Sequence, residues 1–358
     1  NLGTSDYTSS GNGVFRGCKS LKSIKLPSTV LHLYSNTFSG CVALEDVQLN
    51  EGLLDFNDYA FYNCSSLTSI VIPNTVTTMG SYSFQGCTNL KKVVIGSKVG
   101  ATGVESFKDC KSLDDVTILD GCSALTRYTF SGCTALKEIS IPGSVKNIYR
   151  CCFENCTALE SVLLGEGVLN LGTSDYTSSG NGVFRGCASL AYIDIPSTVK
   201  SFYSNTFGGC SNLRRMTCRA EAIPSLSNNT WSNSSQARAT LYVPFDALAD
   251  YQAAAQWQDF KNIRAIGDEG GEDIYGTCDL VDVPFNSVYF DAAEFLCNRG
   301  VLNGSGIDGR VAVDEKITRA QMAKIAFWGL YLLNNVAIPN VFVSSLFPTV
   351  YQDLNRSE

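Results

Sequence analysis

The chain has 358 residues and a formal net charge of −7. This acidic balance argues against nucleic acid as a partner, and no apolar run approaches the roughly 18–20 residues of a membrane-spanning helix. The chain has one histidine, His32, which excludes a histidine-based metal cluster and leaves one residue around which a Ser/His/Asp arrangement could form.

A repeat of 23 residues runs along residues 1–218, and three residues mark each turn. A phenylalanine is followed three residues later by a cysteine and three residues after that by a leucine, as in Phe15, Cys18 and Leu21. The motif cysteines are Cys18, Cys41, Cys64, Cys87, Cys110, Cys133, Cys156, Cys187 and Cys210, with one step of 31 residues before Cys187. A short fixed period predicts a solenoid in which each turn packs only on its neighbours.

Each turn also has two apolar pairs. Six and eight residues after the cysteine stand residues such as Ile70 and Ile72, and this spacing predicts a strand with one face inward. A second pair follows at twelve and fifteen residues, as in Val76 and Met79, and predicts a second extended segment. The Phe-x-x-Cys-x-x-Leu corner of each turn predicts a helical turn.

The motif at residues 15–27, F-R-G-C-K-S-L-K-S-I-K-L-P, resembles the leucine-rich repeats of Treponema and Bacteroides surface proteins, often called BspA-like. The resemblance implies a leucine-rich repeat β-solenoid, a curved right-handed array of about nine turns over residues 1–218 with an incomplete first turn. It also implies a non-enzymatic role at the cell surface or as a secreted protein. The fifth turn departs most, because Thr102 and Cys122 stand where larger apolar residues are usual.

The long step of 31 residues is part of a duplication, since residues 1–18 recur unchanged at 170–187. The eight extra residues, 173–180, are polar and predict a bulge from the solenoid. They are either a tolerated surface insertion or a partner-contacting loop built on Tyr7 and Tyr176. Because the chain starts partway through a turn, without a signal peptide, we expect a fragment of a longer protein.

Fifteen cysteines allow a disulfide or a metal interpretation. Nine of them occupy one repeated position, however, and a line of side chains offers neither four convergent zinc ligands nor good disulfide geometry. We therefore interpret these nine, together with Cys122 and Cys218, as small buried hydrophobic residues. The states of the remaining four stay open: Cys151, Cys152, Cys278 and Cys297.

The positions five and seven residues after each cysteine predict the outward face of the first strand. Residues at these positions vary from turn to turn while the inward positions stay apolar, which is typical of a scaffold with a recognition surface. The candidate protein-binding residues are Lys25, Gln48, Val71, Val94, Thr117, Glu138, Leu163, Tyr192 and Asp194. The alternative is an ordinary solvated strand surface.

Residues 219–266 change character and predict a C-terminal cap of the array. Within them, 240–244 predicts a last strand and 245–256 an alanine-rich helix. The segment resembles the one that ends such arrays in Bacteroidetes proteins. Residues 267–277 then predict an acidic, Gly-rich linker.

Three short motifs mark residues 278–358: V-D-V-P at 281–284, G-V-L-N-G at 300–304 and I-T-R-A at 317–320. They resemble an S-layer homology module, and a second copy could begin near residue 346. The resemblance implies a small α-helical module that contacts cell-wall polysaccharide through Asn303, Gly304 and Arg319. Gln321 and Val288 depart from the usual acidic residue and tryptophan of that family. The alternative is a helical domain that packs on the cap.

The leading hypothesis is a bacterial cell-surface protein whose repeats bind an extracellular or cell-surface protein, for example a host matrix protein. The tail would help to attach it to the cell wall. The second hypothesis is a structural spacer or envelope-layer component with no ligand on the repeats. The sequence has no catalytic constellation and no Gly-rich phosphate loop, so we expect neither enzymatic activity nor a cofactor.

Overall fold

The computed structural model describes residues 13–172, 182–227 and 229–266. These residues belong to one compact unit, Asn1–Asp268, and a second unit spans Glu269–Glu358. Several predictions lie outside the described residues: the bulge at 173–180 with Tyr7 and Tyr176, the linker at 267–277, the module at 278–358, the glycan contacts Asn303, Gly304 and Arg319, and Cys278 and Cys297.

The chain forms a β-solenoid of parallel turns, and each turn contributes one strand to a first row, the front strands. The front strands are β1 (Ser23–Lys25), β3 (Asp46–Gln48), β5 (Ser69–Val71), β7 (Lys92–Ile95), β8 (Asp115–Ile118), β10 (Glu138–Ile141), β12 (Ser161–Leu164), β14 (Tyr192–Ile195), β16 (Arg215–Cys218), β18 (Thr240–Val243) and β19 (Asn262–Ala265). They form hydrogen-bonded sheets of two, three and six strands, divided after β3 and β8. Ile70 pairs with Val93 and Ile139 with Val162, so equivalent residues of successive turns meet.

A second row of two-residue strands, the back strands, follows the second apolar pair of each turn. The back strands are β2 (His32–Leu33), β4 (Asp55–Phe56), β6 (Thr78–Met79), β9 (Ala124–Leu125), β11 (Asn147–Ile148), β13 (Asn170–Leu171), β15 (Ser201–Phe202) and β17 (Ser225–Leu226). They form parallel sheets of three and five strands. The break between the two sheets falls where the sequence departs from its pattern.

Thr102 lies at that break, and it is buried with 2% of its surface exposed. Its hydroxyl lies 2.8 Å from the Thr129 hydroxyl and accepts a hydrogen bond from the Thr126 backbone N–H at 3.0 Å. Buried hydroxyls need such partners, because an unpaired one would lose its hydrogen bonds to water. The fifth turn therefore replaces apolar packing with a small group of threonines.

The core is organised around a ladder of phenylalanine rings, one from each turn. Consecutive rings lie 5.0–5.6 Å apart between centroids and within 17° of parallel. The rings belong to Phe15, Phe38, Phe61, Phe84, Phe107, Phe130, Phe153, Phe184 and Phe207. From Phe38 onward every ring of the ladder is fully buried, so the ladder forms the axis of the hydrophobic core.

The prediction of a helical turn at each corner is wrong. The corner consists of consecutive tight turns, in which the Cys41 N–H donates to the Phe38 carbonyl at 3.1 Å. The residue before each motif cysteine is left-handed, with φ of 72° at Gly40 and 55° at Asn63, and this conformation ends any right-handed helix. The corners also pair from turn to turn, since the Phe38 N–H donates to the Ala60 carbonyl at 2.7 Å.

Parallel pairing continues beyond the last copy of the sequence motif. The strand predicted at 240–244 is present as β18, but it is not the last strand, because β19 pairs beside it with Leu241 opposite Ile263. The helix predicted at 245–256 is shorter, with a 3-10 turn at Phe245–Ala247 and α1 at Leu248–Ala253.

Aromatic residues close the described end of the phenylalanine ladder. Trp231 takes the next position, 4.9 Å from Phe207 and within 8° of parallel. Trp257 and Phe260 pack edge-on against it at 5.7 and 5.1 Å. The Tyr251 hydroxyl, on α1, donates to the Ala220 carbonyl at 2.8 Å, so the buried ring keeps a polar partner.

The phenylalanine ladder predicts a large effect of truncating one ring. Phe107→Ala should lower the free energy of unfolding by about 3–5 kcal/mol, because it removes a fully buried ring and leaves a cavity. Phe245→Ala is the matched control, since Phe245 is 77% exposed and its loss should change stability by less than about 0.5 kcal/mol. Urea unfolding measures both, and equal losses would contradict the role of the ladder.

Candidate functional site

The nine predicted strand-face residues all lie on front strands, with their side chains pointing away from the core. Burial alternates along the front strands from β1 to β14, so in β5 Ile70 is 1% exposed whereas Val71 is 56% exposed. The nine residues are exposed or half-buried on β1, β3, β5, β7, β8, β10, β12 and β14. The structure thus brings them to one face, the front face, as the spacing of two predicts.

Apolar side chains stand at two places on the front face. Val71 on β5 pairs with Val94 on β7, which makes a small apolar patch. Leu163 on β12 is 47% exposed and lies between Ser140 and Asp194 on the neighbouring strands. Exposed apolar residues are common one at a time, but residues repeated on one rigid face are candidates for a protein contact.

Charged side chains on the front face are partly matched within the face. Lys92 Nζ lies 2.7 Å from Asp115 Oδ2 on the adjacent strand, and both side chains are about half exposed. An exposed pair of this kind contributes little to stability, so its two charges stay available to a partner.

The end of the front face at β14, β16, β18 and β19 differs from the rest because it is rich in arginine and tyrosine. Arg219 donates two hydrogen bonds to the Asp194 carboxylate, from Nε to Oδ1 at 3.0 Å and from Nη2 to Oδ2 at 2.6 Å. The Arg215 guanidinium lies 4.3 Å from the centroid of the Tyr242 ring. Arg264 stands beside Tyr242 in the strand register.

The predicted site includes Tyr192 and Asp194 but misses Arg215, Arg219, Tyr242 and Arg264. Arg215 lies five residues after Cys210, so the outward-position rule does identify it. Arg219 lies beyond that strand, and Tyr242 and Arg264 belong to turns without the Phe-x-x-Cys-x-x-Leu motif. No signal in the repeat could have placed these three residues on the face.

The motif cysteines form a second ladder beside the phenylalanines, which confirms their interpretation as small core residues from Cys41 onward. Each thiol donates to the phenylalanine carbonyl of the preceding turn, with S–O distances of 3.0–3.3 Å. The described cysteines are all free, and Cys18 is exposed while the others are buried, Cys122, Cys151, Cys152 and Cys218 included. No group of three or more metal-ligating side chains occurs within the described ranges.

Burial raises the pKa of the buried thiols. Desolvation is the largest cause in each case, and it raises the pKa of Cys156 to about 12 and that of Cys122 and Cys218 to about 11. Cys151, whose thiol is hydrogen-bonded to Tyr128, also has its pKa raised to about 11. A thiol that stays protonated at neutral pH is a poor nucleophile, so these cysteines are suited to packing.

His32 links two consecutive turns. It lies on β2 directly opposite Asp55 on β4, and its Nδ1 is 2.7 Å from Asp55 Oδ2. A similar contact joins equivalent side chains on two later back strands, where Asn170 Nδ2 donates to Asn147 Oδ1 at 2.8 Å. This contact gives His32 a structural role in holding adjacent back strands together.

A family model described as BspA type leucine rich repeat region matches residues 4–114, 54–181 and 101–238. The chain belongs to the BspA-type leucine-rich repeat family. Within the described part of this BspA-type array, no helix combines the length and the apolar character needed to cross a bilayer.

Solved structures of leucine-rich repeat proteins from bacteria are similar to this BspA-type array. A protein from Bacteroides ovatus has 21% identity and a TM-score of 0.41 over 70% of this chain and 85% of its own. A leucine rich cell surface protein from Faecalibacterium prausnitzii has 22% identity and a TM-score of 0.41, and the match covers 72% of this chain and 63% of that protein. The T. pallidum leucine rich repeat protein has 26% identity and a TM-score of 0.40, and the match covers 53% of this chain and 82% of that protein. No curated protein matches the chain.

The buried thiols predict that the array loses stability in alkali. Unfolded thiols release their protons above about pH 8.5, whereas Cys156 and Cys122 keep theirs to about 12 and 11 in the folded state. The unfolded state then binds fewer protons, so the free energy of unfolding falls by about 1.4 kcal/mol per pH unit for each such thiol. Urea unfolding between about pH 7 and 9.5, with reductant present, measures the slope.

Removing one thiol provides the control for this slope. Above about pH 9, Cys156→Ala should make the fall shallower by up to about 1.4 kcal/mol per pH unit, whatever its effect on stability at neutral pH. An unfolding free energy that stays constant up to about pH 9.5 would contradict the prediction.

Proposed function

We propose that the front face of the array binds a protein ligand at the bacterial surface, without chemistry. The observation that carries the proposal is that side chains of varied character project from parallel strands whose inward residues are apolar and mostly buried. Neighbouring strands are about 4.8 Å apart, so the face presents two side chains per strand on a regular grid. A stable interface needs about 20–30 residues on each side, which a row of this length can supply.

Rigidity is the physical advantage of such a face. The front strands are held by ladder hydrogen bonds and by the ring ladder behind them, so binding orders little additional backbone. Affinity then depends on a few anchoring side chains, for which the exposed apolar residues Val71 and Leu163 and the aromatic Tyr192 are the first candidates.

The partner we propose is an extracellular or cell-surface protein, including a host matrix protein, and the location is the cell surface or the secreted fraction. Attachment to cell-wall polysaccharide through Asn303, Gly304 and Arg319 is the accompanying proposal for the tail, on the sequence motifs alone. The S-layer homology resemblance supports it.

A spacer without a ligand is the second candidate. The observation that favours it is the unbroken ring stacking from Phe15 to Trp231, which connects every turn to the next whatever the face carries. The ion pair between Asp194 and Arg219 also neutralises the charge of one candidate residue, Asp194, within the chain itself.

Paired substitutions on two faces of the array test the leading proposal. Val71→Lys with Leu163→Lys should weaken binding to matrix protein by about tenfold or more, because charge replaces apolar contact on the front face. Leu31→Lys with Leu54→Lys is the matched control, since these residues are 41% and 40% exposed beside the back strands. The assay is biosensor binding of the intact chain to a panel of extracellular-matrix proteins and to purified cell-wall sacculi.

Saturable binding of a matrix protein that only the front-face pair removes would support the proposal. Binding of sacculi alone, or equal loss in both pairs, would assign the repeats to the spacer role.

A further inference from the structure

A cavity of about 530 Å³ lies between two segments of the C-terminal cap, 229–236 and 256–259. We call it the cap cavity, and it is lined by Asn229, Trp231, Ser232, Gln236, Gln256 and Asp259. None of these residues belongs to a front strand, so the cap cavity is not part of the front face. Its volume lies within the roughly 300–1,000 Å³ that is usual for small-molecule sites.

Trp231 brings a hydrogen-bond donor to a position where the ring ladder otherwise has phenylalanine. It stacks on Phe207 as another phenylalanine would, but its indole ring carries an N–H. Trp231 is 7% exposed, and its Nε1 has no hydrogen-bond partner among residues 13–172, 182–227 and 229–266. The neighbouring Trp257 differs, since its Nε1 donates to the Pro224 carbonyl at 3.3 Å. A buried donor without an acceptor costs free energy, so a ligand oxygen that paired with Trp231 would remove that cost.

The two glutamines of the cap cavity are fixed by hydrogen bonds of their own. Gln236 Nε2 donates to the Gln256 carbonyl, and Gln256 Nε2 donates to the Ser227 carbonyl at 3.2 Å. These bonds use the amide nitrogens and leave the side-chain oxygen of each glutamine as an acceptor. Gln256 is also left-handed, with φ of 66°, a conformation that residues with a Cβ rarely adopt. Its amide is therefore held in one place before a ligand arrives.

The remaining lining residues are polar, and one of them is charged. Asp259 is exposed, and its carboxylate makes no ion pair or hydrogen bond with any residue that the structure describes. Asn229 and Ser232 add an amide and a hydroxyl, and both groups can donate as well as accept hydrogen bonds. The lining contains no lysine, arginine or histidine. It therefore suits a neutral ligand that both donates and accepts hydrogen bonds.

We propose that the cap cavity binds a neutral saccharide. Each sugar hydroxyl both donates and accepts, so hydroxyl protons pair with the Asp259 carboxylate and the glutamine oxygens, and a hydroxyl oxygen accepts the Trp231 N–H. A ligand with acceptors alone would leave Asp259 without a donor, and a ligand with donors alone would leave the Trp231 N–H unpaired. This binding is additional to the protein recognition proposed for the front face and does not depend on it.

Indole N–H signals in heteronuclear NMR spectra of the full chain test the proposal. The chain has three tryptophans, and the signal of Trp231 is identified by its loss in Trp231→Phe. The probes are the methyl glycosides of glucose, galactose, mannose and N-acetylglucosamine, with glycerol as the comparison polyol. Ligands of about a dozen non-hydrogen atoms commonly bind in the millimolar range. At least one glycoside should shift the Trp231 signal saturably in that range, and glycerol should not.

Substitutions locate the saccharide in the cap cavity, with saturation-transfer NMR of the glycoside as the binding assay. Asp259→Asn should weaken binding by about tenfold, because a charged acceptor is lost from an exposed position. Asp250→Asn is the matched control, since Asp250 is an exposed carboxylate on α1 outside the lining and its change should leave binding unaltered. Trp231→Phe should also weaken binding, because it keeps a ring in the ladder but removes the N–H donor. Circular dichroism checks that each variant folds.

The outcomes separate this proposal from the function proposed for the front face. Glycoside binding that Asp259→Asn weakens and Val71→Lys with Leu163→Lys leaves unchanged would support the cap cavity as a second, independent site. The proposal is overturned if no glycoside shifts the Trp231 signal, if glycerol shifts it equally, or if Asp259→Asn and Asp250→Asn have equal effects on binding. None of these three results would bear on matrix-protein binding by the front face.

Discussion

The structure depends on one constraint, which is that equivalent residues of successive turns stay in register. A period of 23 residues places each phenylalanine ring on the ring of the next turn and each thiol under the carbonyl of the preceding one. Ring centroids repeat at 5.0–5.6 Å, close to the roughly 4.8 Å between hydrogen-bonded strands, so rings and strands stack together without strain. A residue that leaves this register loses a ring contact, a thiol contact and ladder hydrogen bonds at once.

The long step shows that the register, not the length of a turn, is what the fold requires. Phe153 and Phe184 are 31 residues apart in the chain, yet their rings are 5.5 Å apart, as in the regular turns on either side. The strands across the step also pair as usual, with Val162 opposite Ile193. Eight additional residues are therefore accommodated without a change in the ladders, which explains how a block of turns can be duplicated.

The repeat predicts those parts of the fold that depend on side-chain pattern. Ile70 and Ile72 are buried and Val71 is exposed, as their spacing requires, and the nine candidate residues share one face. The corners were mispredicted because a spacing of three resembles a helix, whereas the left-handed residue before each cysteine appears in the sequence only as a variable Gly, Asn or Asp. β19 was missed because backbone pairing continues wherever the register holds, even where Trp231 replaces phenylalanine and the motif has ended.

Separation of core and face bears on what the array could recognise. The core residues are committed to the ladders, so differences in binding must come from outward side chains that cost the fold little to change. A net charge of −7 repels long anionic polymers, whose charge extends beyond the screening length of about 8–10 Å. Discrimination among partners must therefore depend on which outward side chains the front face presents, and these can change while the two ladders of the core stay the same.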